Sequence, residues 1–183
     1  MALTKINNNT LSAITGLPAG VGGKVLQVVT VAKTDTYGET VSANSLSTTI
    51  VTGLQPSITP SSSSNTILIT ATLSLGFSTT GTGNSVGFVL KRGSTVIGKG
   101  DSSSSRTSLS TASSTYSSFQ LFNESMTFID TPSTTSSTTY GISLFNGSGD
   151  SQTCLLNKDD RDTDAAYATR GISTLTLMEI AGW

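Results

Sequence analysis

The sequence contains no histidine, a single cysteine (Cys154) and only 11% charged residues over 183 positions. Without histidine, the commonest general base near neutral pH and the commonest transition-metal ligand are both missing. One thiol can build neither a thiolate metal site nor an internal disulfide, so most enzyme classes fall away and no metal or cofactor is expected. Charge is sparse and balanced: 10 Lys+Arg against 11 Asp+Glu leave a formal net charge of −1. Dispersed basic residues in that number form no cationic stripe to neutralise phosphates, so nucleic acid is not an expected partner. Residues 41–90 carry no charge at all. Yet Ser, Thr, Asn, Gly and Pro interrupt every apolar run there well short of the roughly 18 residues of a membrane span, so a membrane is not an expected partner. The start, Met1-Ala2-Leu3-Thr4-Lys5, is followed by Asn7, Asn8, Asn9 and Thr10 where the apolar stretch of a secretory leader would lie, and none is expected.

What the chain does have is hydroxyls: 31 Ser and 32 Thr, with 18 Gly. Disorder would require high net charge and an aliphatic-plus-Phe share under about 20%. Here 44 of 183 residues are Leu, Ile, Val or Phe, and a folded chain of this length buries roughly 70% of the surface its unfolded form exposes.

Turn-forming clusters recur every ten residues or so, and β-branched residues dominate between them, which is an all-β pattern. Thr suits both halves of it: its branched Cβ fits a pleated strand and its hydroxyl keeps the outer face wet. Strands are expected over residues 24–33, 48–52, 55–59, 66–77, 85–91, 95–100, 119–130, 138–146, 153–156 and 173–180. The clearest alternation places Ile67, Ile69, Ala71, Leu73 and Leu75 on one face as core. In the last strand Thr174, Thr176, Met178 and Ile180 alternate with Ser173, Leu175, Leu177 and Glu179. Both faces there carry apolar groups, as in a central strand or one covered by a neighbouring subunit. Connections over 101–118 and 157–170 exceed ordinary loop length and are candidates for partner contact.

Some ten short strands with no helix for parallel crossovers predict an antiparallel β-sandwich of the jelly-roll type over residues 24–183. Residues 1–23, ending in the glycine-rich Gly16-Leu17-Pro18-Ala19-Gly20-Val21-Gly22-Gly23, read as an extended N-terminal arm and hinge.

The chemical motifs weaken under inspection. Gly83-Asn84-Ser85-Val86-Gly87 fits the G-x-S-x-G nucleophile elbow, but that elbow needs a strand, a strained turn, a helix and a His base; a chance match is expected, and no catalytic residue is assigned. Asp160, Asp162 and Asp164 share the spacing of the first ligands of a calcium loop. The positions that should be Gly and a bidentate acid are Ala165 and Gly171. Lys158, Arg161 and Arg170 can neutralise this cluster from within. The competing expectation is a subunit contact, in which Arg92 or Arg106 of one copy pairs with Asp160, Asp162 or Asp164 of a neighbour. Lys91, Arg92 and Lys99 otherwise suit an edge hairpin turning at Gly93-Ser94. Glu179 requires an edge or a partner, with Arg170 one choice. Cys154 and the six Phe residues read as core.

Several stretches, in order, resemble a family of tailed-phage virion proteins, especially those of cyanobacterial and other marine phages. They are Met1-Ala2-Leu3-Thr4-Lys5-Ile6; Leu17-Pro18-Ala19-Gly20-Val21-Gly22-Gly23-Lys24-Val25-Leu26-Gln27-Val28-Val29; Val51-Thr52-Gly53-Leu54 with Ile58-Thr59-Pro60; Gly93-Ser94-Thr95 with Ile97-Gly98; Phe128-Ile129-Asp130-Thr131-Pro132; and Arg170-Gly171 leading to Met178-Glu179-Ile180. The resemblance implies a virion surface protein whose β-sandwich head is similar to tumour-necrosis-factor-like jelly rolls and is often a homotrimer. Fibre proteins of this kind place a longer segment between the Met-Ala-Leu-Thr-Lys start and the glycine-rich junction; here it shrinks to residues 7–16. The expectation is therefore a capsid decoration (cement) protein on the capsid exterior, bound to the major capsid protein or other virion proteins. The alternative is a tail fibre or receptor-binding module. Attachment would be adhesive, with Leu3, Ile6, Leu11, Ile14 and Leu17 of the arm as contact residues alongside Arg92, Arg106, Asp160, Asp162, Asp164 and Arg170.

Overall fold

A computed structural model describes residues 24–78 and 84–182. The arm and its contact candidates Leu3, Ile6, Leu11, Ile14 and Leu17 lie outside the described residues, as does Gly83 of the elbow-like motif. Regular structure among the described residues is entirely β. In chain order the strands are β1 (Val25–Lys33), β2 (Tyr37–Val41), β3 (Ser45–Leu46), β4 (Ser57–Ile58), β5 (Thr66–Phe77), β6 (Asn84–Arg92), β7 (Thr95–Ile97), β8 (Thr111–Thr115), β9 (Phe122–Asp130), β10 (Thr138–Asn146), β11 (Gln152–Leu156) and β12 (Ser173–Ile180).

All pairings between these strands are antiparallel, in two sheets. The first runs β1-β12-β5-β11-β2, with β9 on the other edge of β5; the second runs β3-β10-β6-β7, with β4 also on β10 and β8 also on β6. The sheets press their apolar faces together, so the fold is an antiparallel β-sandwich. Strand β5 shows why: Ile67, Ile69, Ala71, Leu73 and Leu75 are fully buried while Thr66, Leu68, Thr70, Thr72 and Ser74 face outward, the period-2 pattern of a strand wet on one side. Facing them from the second sheet are Val86, Phe88, Leu90, Tyr140, Ile142 and Leu144, all buried.

Polar groups tie the layers at their margins. At one flank the hydroxyls of Thr111 and Ser113 on β8 donate to the Glu124 carboxylate on β9, curling one sheet toward the other. Arg92 of β6 donates to both Asp130 oxygens of β9 at 3.0 and 2.9 Å, and the Tyr140 hydroxyl of β10 donates to the same carboxylate. Two buried asparagines latch loops to strands: Asn146 donates to the carbonyls of Val41, Ser42 and Asp150, and Asn157 to those of Lys33 and Asp35.

Several expected boundaries shift. Residues 48–52 form no strand; Ser47 and Val51 donate to the Leu144 and Ile142 carbonyls of β10, but a side-chain turn at Ser47 and Thr49 breaks the ladder between them. The expected strand 119–130 begins at Phe122, and the long connection 101–118 contains β8. The Gly93-Ser94 hairpin forms as expected, with Gly93 at φ +55°, where glycine avoids the cost other residues pay. Ser85 sits within β6, paired to Ser114, and not on a strand-to-helix elbow. Gly87 has a packing reason of its own: a Cβ there would lie 2.5 Å from the Thr111 carbonyl oxygen of β8.

Candidate functional site

The outward face of the first sheet is built from strands that meet in exact two-residue steps. One register row runs Val28–Met178–Leu68–Ile129 across β1, β12, β5 and β9. The next row is Thr30–Thr176–Thr70–Thr127, four threonines abreast, followed by Ala32–Thr174–Thr72–Ser125. The Thr30 and Thr176 hydroxyls lie 3.1 Å apart, one donating to the other. No residue of these rows is charged. Beyond the apolar row lie Val25, paired to Ile180, and Leu26, where β1 bulges. Val25, Val28 and Ile129 are each about half exposed or more, at 49%, 55% and 61%. Of the two expectations for the last strand, central or covered by a neighbouring subunit, the central place is the one observed, since β12 lies between β1 and β5.

With strands about 4.8 Å apart and rows about 6.8 Å apart, four strands by four rows cover roughly 500 Å². About half of it, the Val28–Ile129 row and the Val25–Ile180 end beyond it, is apolar and the rest is mostly hydroxyl-bearing, so the apolar part is a few hundred Å², within what ordinary monomers expose.

A second surface comes from the long loop after β11 and the short connection between β8 and β9. The loop after β11 starts at Asn157, whose φ of +62° an asparagine tolerates better than most residues. It closes at its base through the Lys158–Arg170 bridge and the Gly171 N–H bond to the Asn157 carbonyl. Inside it Asp159 is fully buried and accepts from the backbone N–H, Nε and Nη2 of Arg161. The Arg161 guanidinium beside it holds the Asp159 carboxyl down at about 2, against an opposing push from burial. The guanidinium in turn lies over two rings, 4.9 Å from the Phe119 centroid and 5.3 Å from that of Tyr167. The Asp160 N–H donates to the Ser118 carbonyl, fastening this loop to the one between β8 and β9.

The acidic cluster is thus paired internally. Asp162 accepts from Lys158 at 2.9 Å and from Arg170, while Asp160 and Asp164 are exposed. Among the described residues no three His, Cys, Asp or Glu side chains are grouped to hold a metal ion. Of the cationic candidates, Arg92 is engaged with Asp130 of its own chain, and exposed Arg106 donates to Ser103. Arg170 pairs with Asp162 and not with Glu179. Glu179 is buried and accepts from Gln27, Ser61 and Asn65. Burial pushes its pKa up, but the hydrogen bonds from Asn65, Gln27 and Ser61 outweigh that and hold it at about 2. Cys154 is buried on β11, as expected, and its thiol is pushed up to about 12 by burial.

One aromatic departs from expectation. Phe77, Phe88 and Phe145 are core and Phe122 and Phe128 pack against it, but Phe119 is 55% exposed. Residue type alone assigns it to the interior; its place in a Ser-rich connection was the contrary signal. No protein-family model matches this chain, and no curated protein matches it.

Proposed function

We propose that this chain is a non-enzymatic structural protein of a phage virion, a homotrimeric decoration or cement protein that sits on the capsid exterior and binds the major capsid protein. The observation that supports the reading best is the uncharged outer face of the first sheet, with its row Val28–Met178–Leu68–Ile129 beside a row of threonines. A face without charge neither repels a second copy nor requires a charged partner. At roughly 500 Å² per copy, two such contact patches bury about 1,000 Å², the lower bound for a specific interface. About half of that area is apolar, so burial at about 25 cal/mol per Å² contributes on the order of 12 kcal/mol, comparable to the association cost of about 4–15 kcal/mol. Face-to-face pairing of this patch would close a two-fold dimer; in a trimeric ring the patch of each copy meets a different surface of its neighbour, and each copy is held on two sides.

The test is the oligomeric state of the full chain by light scattering, with Val28→Glu and Ile129→Glu as variants. A trimer that becomes monomeric in both variants, with unchanged circular dichroism, supports the reading; a monomer at high concentration in the unaltered chain overturns it. Removing residues 1–16 separates adhesion from assembly: the sandwich should still fold and oligomerise, while occupancy on particles should fall to background. A second reading, a tail fibre tip or receptor-binding module, draws on the exposed aromatics of the β8–β9 connection and the loop after β11. Copy number per virion distinguishes it, being far lower for a fibre than for a shell protein.

A further inference from the structure

The exposed aromatics among the described residues are concentrated. Tyr116, Phe119 and Tyr167 are the aromatic residues among the exposed large hydrophobic side chains there, at 69%, 55% and 64%, and they come from the connection between β8 and β9 and the long loop after β11. Phe119 and Tyr167 flank Arg161, which is itself held by the fully buried Asp159. This support is rigid: besides Arg161, Asp159 accepts from the Thr169 hydroxyl, and the Asp160–Ser118 backbone bond joins the loops beneath. Exposed rings fixed on a buried ion pair gain little in the isolated chain, because the faces turned away from Arg161 stay in water while the loop entropy has already been lost. Such pre-ordering lowers the cost of binding a ligand.

We propose that Phe119 and Tyr167, with Tyr116 nearby in sequence, form a platform for a neutral saccharide. The chemistry selects the class. The C–H face of a pyranose ring stacks on an exposed aromatic face, and its hydroxyls need close hydrogen-bonding groups. The loop that carries Tyr167 holds such groups: Asp162, Thr163, Asp164, Ala165, Ala168 and Arg170 line an open cleft of about 450 Å³, within the range of small-ligand sites of roughly 300–1,000 Å³, and Asp162 and Ala168 are the chain neighbours of Arg161 and Tyr167. An anionic ligand is disfavoured. The Arg161 Nε and Nη2 are both spent on Asp159, Arg170 and Lys158 are paired to Asp162, and the exposed carboxylates of Asp160 and Asp164 would repel it. This inference does not rest on the assembly reading and uses none of the sheet-face residues.

The test screens the full-length protein against immobilised neutral and acidic bacterial surface oligosaccharides, then titrates the best neutral binder into 15N-labelled protein. The expected result is retention of at least one neutral hexose or N-acetylhexosamine oligomer, with shifts at Tyr116, Phe119 and Tyr167. Tyr167→Ala should weaken binding at least tenfold with an unchanged melting temperature. Should Phe119→Ala destabilise the loop by uncovering Arg161, Tyr167→Ala and Tyr116→Ala decide the matter, since those rings are the more exposed. Val28→Glu should leave the per-site affinity within twofold. No retained neutral saccharide, binding of acidic saccharides only, or undiminished affinity in Tyr167→Ala would each overturn the proposal, and so would a protein ligand competing at this surface where no sugar does.

Discussion

The Tyr140 hydroxyl on β10 donates a 2.6 Å hydrogen bond to Asp130 at the end of β9, across the boundary between the two sheets. Arg92 completes the arrangement from β6. Tyr140→Phe should therefore cost about 1–2 kcal/mol in urea denaturation, the loss of one bond to a charged acceptor that retains another donor. Asp130→Ala should cost more, about 3 kcal/mol, because it strands a buried hydroxyl and a half-buried guanidinium together. Equal losses in the two variants would show that the tyrosine, and not the carboxylate, organises the junction.

Acid stability should follow two carboxyls. Glu179 and Asp159 are both held at about 2, below ordinary values of 4.5 and 3.8. Each is buried and depressed in the folded state, so its contribution is complete above about pH 5 and is lost as pH falls through about 2. The expected losses are on the order of 3 kcal/mol for Glu179 and about 2 kcal/mol for Asp159. Unfolding free energies measured between pH 6 and 2 should fall accordingly, and Glu179→Gln should flatten the profile. A profile of unchanged slope in that variant would contradict the assignment.

Close strand approach makes a third expectation. Gly87→Ala would place a methyl 2.5 Å from the Thr111 carbonyl oxygen and 2.7 Å from the Ala112 Cβ. Backbone cannot yield as a flexible side chain does, so the variant should lose about 1–3 kcal/mol by overpacking. Hydrogen exchange should show the loss of protection centred on β8, with β5 and β12 unaffected.

The thiol offers a simple probe. Cys154 is fully buried and its pKa is pushed up to about 12, so the folded protein should resist alkylation at pH 8 and react only when denaturant opens the sandwich. Rapid labelling without denaturant would contradict this burial.

The sequence carried these features unevenly. Strands β5, β10 and β12 were legible to the residue, because a run of apolar residues between turn-forming clusters admits few alternatives. Strand β8 was not: Thr111-Ala112-Ser113-Ser114-Thr115 offers no hydrophobic alternation, and it forms because its backbone completes one edge of β6 while its hydroxyls reach Glu124. Strand β2 was missed for a related reason, since Gly38, Glu39 and Thr40 hide a strand held on β11. The acidic loop's internal pairing was readable from its interleaved basic residues. The aromatic platform was not, because which rings stand above Arg161 depends on two loops 40 residues apart in the chain meeting in space. The outer-face rows likewise needed the register of four strands drawn from distant segments.

The position of β12 has a consequence for biosynthesis. Strand β12, the last of the described strands to emerge, inserts between β1 and β5, so a nascent chain still lacking it has no continuous row from Val28 to Ile129. Any association through this face therefore has to wait until β12 has been made and has docked between its neighbours.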